Sequence, residues 1–570
     1  MQPRFLARVV AVGAAAATAI IATTTAATAA PAPAERVETP FSSTSPLVSA
    51  SVVRLHIPLP ASAGPHPAQC DWLSYLRYRS STGPARSAQA DRILVAQPGI
   101  FEGAGAFDSV ATNTVAAAAR GGKSIEFWAM DRRSGCLEDR TGFDTGLRHR
   151  SFGRAVDYYF NHASVDGKKF AGFPTSGPRV DWLKNQGLAQ TLRDQYDVMR
   201  TEVPNQVTRK QKMLCGGHSL GGIVTGYFSE WNFAGNRRDT ASAGYNQCAG
   251  YFALDTAIAP FSKAGFAGSP ALPGLPPAVN DVLNAASLHV DNALPVMALP
   301  AVINPETLNL LGLVGLAAHL DPEGVDQVLP VLPHDLNVDA TLRVLLSANA
   351  AQFATGQPDV RTLRATNDAV LGTVLDDNSM PFGFIQASVG FITGGPVVPK
   401  TFPLPSDQLP QVPAVISTFG DNTKWAPASW GSKAIYRWRD YNEIDPSMYR
   451  YTTPDREVTS IHELARSLSV PPLDFTEWYF PTRLPMDMAA AGGSSIDPYW
   501  VYPGAAATAP MLTFTASGGI QIAAVVDPNG RVVHLPGYNH VDVLTAAAIQ
   551  NNGQPEQVST QLAAFAADLH

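Results

Sequence analysis

Ser219 lies in the run Lys212-Met213-Leu214-Cys215-Gly216-Gly217-His218-Ser219-Leu220-Gly221-Gly222. The run begins as an apolar strand, breaks on glycines, presents one serine and continues over 223–231 as a helix. A serine on so sharp a strand-to-helix turn leaves no room for bulk two residues before or two residues after it, and Gly217 and Gly221 occupy those positions. The turn holds the hydroxyl out at the positive end of a helix, where developing negative charge is favoured. A serine hydroxyl is a weak nucleophile at neutral pH. It needs a base within hydrogen-bond reach and a third group that orients the base.

The elements that must position these groups read as an alternation of strands and helices. Arg92-Ile93-Leu94-Val95-Ala96 is the first regular core strand and ends at Gln97-Pro98-Gly99-Ile100. A helix over 106–120, a strand over 124–130, an amphipathic helix over 182–198, the Ser219 strand, and Gly250-Tyr251-Phe252-Ala253-Leu254 ending on Asp255 follow. Continuous apolar runs of this length, each leading to a helical stretch, are the pattern of parallel strands buried on both faces. The rhythm breaks after 260 and resumes with strands over 509–516 and 530–536 and a closing helix over 555–569. Of the 12 histidines, His540 follows the last of these strands, in Gly537-Tyr538-Asn539-His540-Val541-Asp542.

The Gly-x-Ser-x-Gly turn, the Gln97-Pro98-Gly99-Ile100 turn after an early strand, and the late Gly-Tyr-x-His-x-Asp loop occur in the order found in the α/β-hydrolase family, which this chain resembles over 92–256 and 510–570. The resemblance implies an α/β fold: a mostly parallel, doubly wound sheet with a large, mainly helical insertion. It implies Ser219 as nucleophile, His540 as base, and the backbone N–H groups of Leu220 and of Ile100 or Phe101 as oxyanion donors. His218 then points away from the nucleophile and is structural. The usual place for the acid, the turn after the penultimate strand, reads Ser517-Gly518-Gly519 and carries no carboxylate. Asp255 takes the alternative position some lipases of the family use. Asp421 is its rival if 413–420 is a strand, and Asp527 falls at the wrong edge. Glu102, Arg132, Arg133 and the 136–140 run read as salt-bridged loop surface in preference to a network under the site.

With 570 residues, the chain has room for three average domains or for one enzyme core with a large insertion. The boundaries read as a signal peptide over 1–29, a leader and linker over 30–60, core over 61–259, insertion over 260–482 and core again over 483–570. Arg4 and Arg8 precede an apolar block over 9–22, and Ala27-Thr28-Ala29 offers a cleavage site, so the chain reads as exported, with no stable membrane insertion after cleavage. Four cysteines in an exported chain predict two disulfides. Of three possible pairings, Cys70 with Cys136 and Cys215 with Cys248 are favoured, the second tying the Ser219 strand to the next.

A formal charge of −7 with no basic block excludes a nucleic-acid partner. The absence of Cys-x-x-Cys spacing, His-Glu-x-x-His, a P-loop and a dinucleotide fingerprint gives no metal or cofactor any support. What remains is hydrolysis by protein groups alone, with a small ester or lipid as substrate. The apolar, cation-free stretch after Lys263 points to an acyl chain, unless those residues simply form the insertion's own core. A peptidase with the same three residues and a catalytically silent envelope-binding domain are the competing readings.

Overall fold

Nine strands form the main sheet: β1 (Arg36–Phe41), β2 (Val48–His56), β3 (Trp72–Ser80), β4 (Arg92–Gln97), β5 (Ile125–Met130), β6 (Met213–His218), β7 (Gly250–Leu254), β8 (Met511–Gly518) and β9 (Arg531–Asn539). Their spatial order is β1-β2-β3-β5-β4-β6-β7-β8-β9. The first three strands and the β3–β5 pair are antiparallel. From β5 to β9 every pairing is parallel. The computed structural model describes residues 34–260, 294–298, 303–431, 433–489, 498–520 and 530–569. The expected signal peptide and Asp527 lie outside these residues.

The sheet separates two apolar clusters, as alternation along its strands requires. Leu94, Ala96, Phe127 and Ala129 face one side, against helix α1 (Asp108–Arg120). Ile93, Val95, Trp128 and Cys215 face the other, against α2 (Leu188–Glu202) and α3 (Leu220–Glu230). The chain therefore adopts the α/β fold of a doubly wound, mostly parallel sheet.

Two strands lie where linker was expected. Residues 36–41 and 48–56 pair with each other and with β3, so the sheet begins well before Arg92. The signal was weak because β1 is an edge strand with an exposed face on both sides. Edge strands need no apolar alternation, and polar or proline residues there discourage further pairing.

Between β7 and β8 the chain leaves the sheet. The described part includes α4 (Pro305–Leu320), α5 (Asn367–Leu375) and α6 (Ile461–Ser469), with two short ribbons, Gly390–Thr393 with Arg437–Asp440 and Val397–Pro399 with Trp425–Pro427. Helix α4 starts on Asn304, whose side chain accepts from Glu306 N and Thr307 N in a capping box. Its Leu310, Leu313, Val314 and Leu316 are buried, and Gly312 and Gly315 sit against Phe143 and Leu468. The apolar run over 308–320 is thus accounted for as interior packing, the second of the two readings its composition allowed. The last helix, α7 (Gln557–Asp568), returns to pack on α1.

Cys70 is bonded to Cys136, and Cys215 to Cys248. The second bond joins β6 to the residues leading into β7. Replacing Cys215 and Cys248 by serine opens a loop with a sequence separation of 33. The expected loss is about 3–4 kcal/mol of unfolding free energy on the loop-entropy account, seen as a lower urea midpoint. An unchanged midpoint would mean that the strands hold this geometry without the bond.

Candidate active site

Because β4 to β9 run parallel, the turns that follow them meet at one edge of the sheet, where α/β folds concentrate chemistry. Ser219 sits there between β6 and α3 with φ 53° and ψ −125°, a backbone region that side-chain-bearing residues rarely occupy. The glycines around it are required by close approach. A Cβ on Gly216 would overlap Phe252 O, one on Gly221 would overlap Gln97 O, and one on Gly222 would overlap Thr256. The Ser219 peptide is tied on both sides: its N–H donates to Leu254 O at 3.3 Å, and Thr256 Oγ1 donates to its carbonyl at 2.6 Å.

His540 Nδ1 lies 2.6 Å from Asp255 Oδ2, and both side chains are 1% exposed. The two residues come from the ends of β9 and β7, 285 positions apart. Asp255 also accepts from Ala516 N and Ile520 N, each at 2.9 Å. The carboxylate-free turn Ser517-Gly518-Gly519 is therefore part of the cradle of the Asp255 carboxylate. A Cβ on Gly519 would overlap Asp255 Oδ2. A register shift between Ala516 and Gly518 in the β8–β9 pairing turns these N–H groups towards it.

Asp421 is not brought to His540. Residues 413–419 form a helical turn rather than a strand, opened by Pro413 and ended by Gly420 at φ 76°. Asp421 Oδ1 instead accepts from Arg456 Nη2 at 2.7 Å. Asp542 anchors the His540 loop, accepting from Asn539 N at 2.7 Å and from Ser388 N, Ser388 Oγ and Thr459 Oγ1 at 2.7–2.9 Å.

The loop after β4 has most of its N–H groups committed. Gly99 N donates to Glu102 Oε2 at 2.6 Å, Glu102 N to Gly99 O at 3.4 Å, and Gly103 N to Phe475 O at 3.0 Å. Ile100 and Phe101 have no acceptor for theirs among the described residues. Leu220 is the first residue of α3, a position whose N–H has no partner inside the helix. The N–H groups expected to receive an oxyanion are those left free.

The charged residues near this loop form a buried network, contrary to the surface reading. Arg132 Nη1 donates to Glu477 Oε2 at 2.5 Å, and its Nη2 donates to Pro98 O and Gly99 O. Arg133 pairs with Asp194 at 2.7 Å and donates to Ile57 O and Cys70 O. His218 is likewise engaged: Nε2 donates to His540 O at 2.9 Å and Nδ1 lies 2.7 Å from Glu102 Oε1. Sequence reasoning missed these pairings because every partner is at least 33 residues away, and Glu477 is 345 residues from Arg132. The one available signal was a histidine directly before the nucleophile in a strand with no other polar side chain.

Among the described residues no group hydrogen-bonds the Ser219 Oγ. The serine and His540 are joined through neighbours, Leu254 to Asp255 on one side and His218 on the other. Burial, followed by the charge on His218, holds the His540 pKa below the ordinary 6.5, while the hydrogen bond to Asp255 pulls the other way.

No family model and no curated protein matches the chain. Among solved structures it is similar to an epoxide hydrolase from Vigna radiata at 11% identity and TM-score 0.28, over 82% of this chain and 89% of that chain. A peroxisomal α/β-hydrolase from Saccharomyces cerevisiae gives 11% identity and TM-score 0.26, over 90% and 83%. An epoxide hydrolase from Solanum tuberosum gives 10% identity and TM-score 0.26, over 90% and 95%. Likenesses at this level carry no weight on chemistry. The α/β-hydrolase fold of this chain stands on its own strand order and on the turn at Ser219.

If His540 acts as a base, it must be neutral, so the acid limb of any Ser219-dependent reaction is expected below pH 6.5. Asp255→Asn should cut the rate by about 10⁴-fold, as loss of an orienting carboxylate does, while Asp421→Asn should change it by less than about threefold. Rates against pH for the three proteins check both statements. Equal losses in the two variants would remove Asp255 from the orienting role.

Proposed function

We propose that this protein is an exported serine hydrolase that cleaves a carboxylic ester through an acyl-enzyme. The observation that carries the reading is the 2.6 Å contact between His540 Nδ1 and Asp255, made at the sheet edge where the Ser219 elbow stands. Nδ1–H facing the carboxylate leaves Nε2 as the ring nitrogen able to accept a proton.

In this reading Ser219 Oγ attacks the ester carbonyl carbon as its proton passes to His540 Nε2. The carbonyl electron pair moves onto oxygen, which is received by the N–H groups of Leu220 and of Ile100 or Phe101. Collapse of the tetrahedral intermediate breaks the bond to the alcohol, which leaves with the proton from His540. Water then repeats the two steps on the acyl-serine and releases the acid. Each proton taken is returned, and no metal or cofactor enters.

Support for a hydrophobic acyl group comes from the residues that carry the free N–H groups: Ile100 and Leu220 are partly buried apolar side chains packed on the same cluster as Phe101, Ile258 and Phe480. Apolar surroundings suit an alkyl chain better than a sugar or a nucleotide. Export is inferred from the N-terminal pattern and accords with two disulfides. No helix among the described residues is long and apolar enough to cross a membrane.

One observation favours the silent-domain reading: the Ser219 Oγ makes no hydrogen bond to His540. Catalytic contacts are often loose before substrate binds, which weakens that objection. A fluorophosphonate probe separates the two readings. The wild-type protein is expected to be labelled at a single site, and Ser219→Ala to abolish labelling. An unlabelled, folded wild-type protein would sink the hydrolase reading. Panels of p-nitrophenyl esters and of peptides then test the bond cleaved, with turnover expected for the esters and rising with acyl length; peptide turnover alone would replace esterase by peptidase. Intact mass of the exported protein should place its first residue near position 30, and a retained residue 1 would contradict cleavage.

A further inference from the structure

We propose that Glu102 and His218 form a charged pair that positions the oxyanion loop and His540 together, and whose imidazolium sets the proton affinity of His540. The inference rests on the reading of Ser219 and His540 as nucleophile and base, and it assigns Glu102 and His218 a positioning role.

The hydrogen bonds fix the protons. A carbonyl oxygen only accepts, so His218 Nε2, 2.9 Å from His540 O, must carry hydrogen. The other nitrogen lies 2.7 Å from Glu102 Oε1, and one proton sits in that contact. Glu102 Oε2 already accepts the Gly99 N–H at 2.6 Å, an arrangement that suits an ionised carboxylate. The pair is therefore imidazolium and carboxylate, with His218 wholly buried. Burial opposes charge on His218, but Glu102 outweighs it and lifts the histidine above its ordinary value. Glu102 is pushed up by burial and brought below its own value by His218.

The pair touches three chain segments that have to agree in position. Glu102 stands on the loop after β4 and holds Gly99, so the next N–H groups, those of Ile100 and Phe101, have a fixed origin. His218 is the residue before Ser219, and its ring lies 4.2 Å from that of His540 with planes inclined by 33°. A shift in any one segment breaks a contact to another.

The charges around His540 can be counted. It faces Asp255, His218 and Glu102. Arg132 meets Glu102 only through the backbone carbonyl at 3.4 Å and is paired to Glu477, while Asp542 is turned towards Ser388 and Thr459. Before proton transfer the group holds two carboxylates and one imidazolium. When His540 takes the serine proton it holds two of each, so a second imidazolium forms beside the first without net excess charge. Glu102 supplies the negative charge that makes this arrangement neutral.

The test uses fluorophosphonate labelling rates against pH for the full mature chain. His218→Gln removes the cation but keeps an amide N–H near the position of Nε2. Its acid limb should move up by about half a pH unit or more, because Glu102 and Asp255 then act on His540 unopposed. Glu102→Gln with His218→Gln should bring the limb back towards wild type, and both variants should lose about 10–100-fold in maximal rate. A lower rate with an unmoved limb in His218→Gln would reduce the pair to scaffolding and overturn the proposal. Failure to label the wild-type protein would instead remove the hydrolase reading, and this inference with it. A measurement on folded wild-type protein guards against unstable variants. The long-range ¹H–¹⁵N spectrum of histidine-labelled protein at about pH 8 should show both His218 ring nitrogens protonated. A neutral His218 there would overturn the proposal without touching the reading of Ser219.

Discussion

A carboxylate closed off from water has to be given donors, and the placement of Asp255 imposes that demand on most of the chain. An ionised group left unpaired at 1% exposure would cost several kcal/mol or lose its charge. Asp255 receives the Ala516 and Ile520 N–H groups and the His540 ring instead. All three lie beyond the long excursion between β7 and β8, so the acid is satisfied only when the chain returns and β8 and β9 add to the sheet. The fold and the candidate site are in this sense closed by one group. Gly519 belongs to the same requirement, since any side chain there would occupy the space of the Asp255 oxygen.

The turn at Ser219 is the second requirement, and it works through exclusion. Ser219 holds a positive φ because its flanks pack backbone against backbone: Gly221 against Gln97, Gly216 against Phe252. These contacts join β6 to its two neighbours, β4 and β7, at the place where the serine is presented. Strain of this kind, of order 1–3 kcal/mol, persists only when surrounding contacts over-determine the backbone. The Leu254 and Thr256 bonds to the Ser219 peptide and the Cys215–Cys248 link do so here.

What could be read in the sequence divides along the same line between local and distant causes. Ser219, β4 to β9 and the closing helix were legible because spacing and unbroken apolar runs express them within ten to fifteen residues. His540 was legible as the histidine after the final strand. Asp255 and Asp421 could not be separated by sequence, since each ends a short apolar run, and runs of that length serve strands and helices alike. Pro413 at the start and Gly420 at the end decided the second run as a helical turn. The strand 36–41 was hidden by the polar surface of an edge, and its neighbour 48–56 was passed over with it although it is mostly buried. The burial of Arg132, Arg133 and His218 was hidden for another reason. A charge run resembles surface until its partners are known, and Glu477, Asp194 and the His540 carbonyl are supplied by topology.

The long excursion between β7 and β8 is not a passive cover in this arrangement. Its last limb, 473–480, is bonded directly to the loop that carries the free N–H groups. Glu477 N donates to Phe101 O at 2.9 Å, Asp474 Oδ1 accepts from Gly105 N at 2.8 Å, and Phe475 O accepts from Gly103 N. Glu477 also neutralises Arg132, which holds the Pro98 and Gly99 carbonyls from below. Phe480 meets Phe101 in a tilted ring contact, 5.3 Å between centroids, and its ring lies 5.1 Å from the Arg132 guanidinium. The loop after β4 is thus gripped from one side by Glu102 and from the 473–480 limb by Glu477. A donor pair must be fixed before charge develops if it is to stabilise that charge without reorganising. The two grips supply this from opposite sides, so the 473–480 limb is part of the candidate site by mechanics although none of its residues needs to touch a reacting atom.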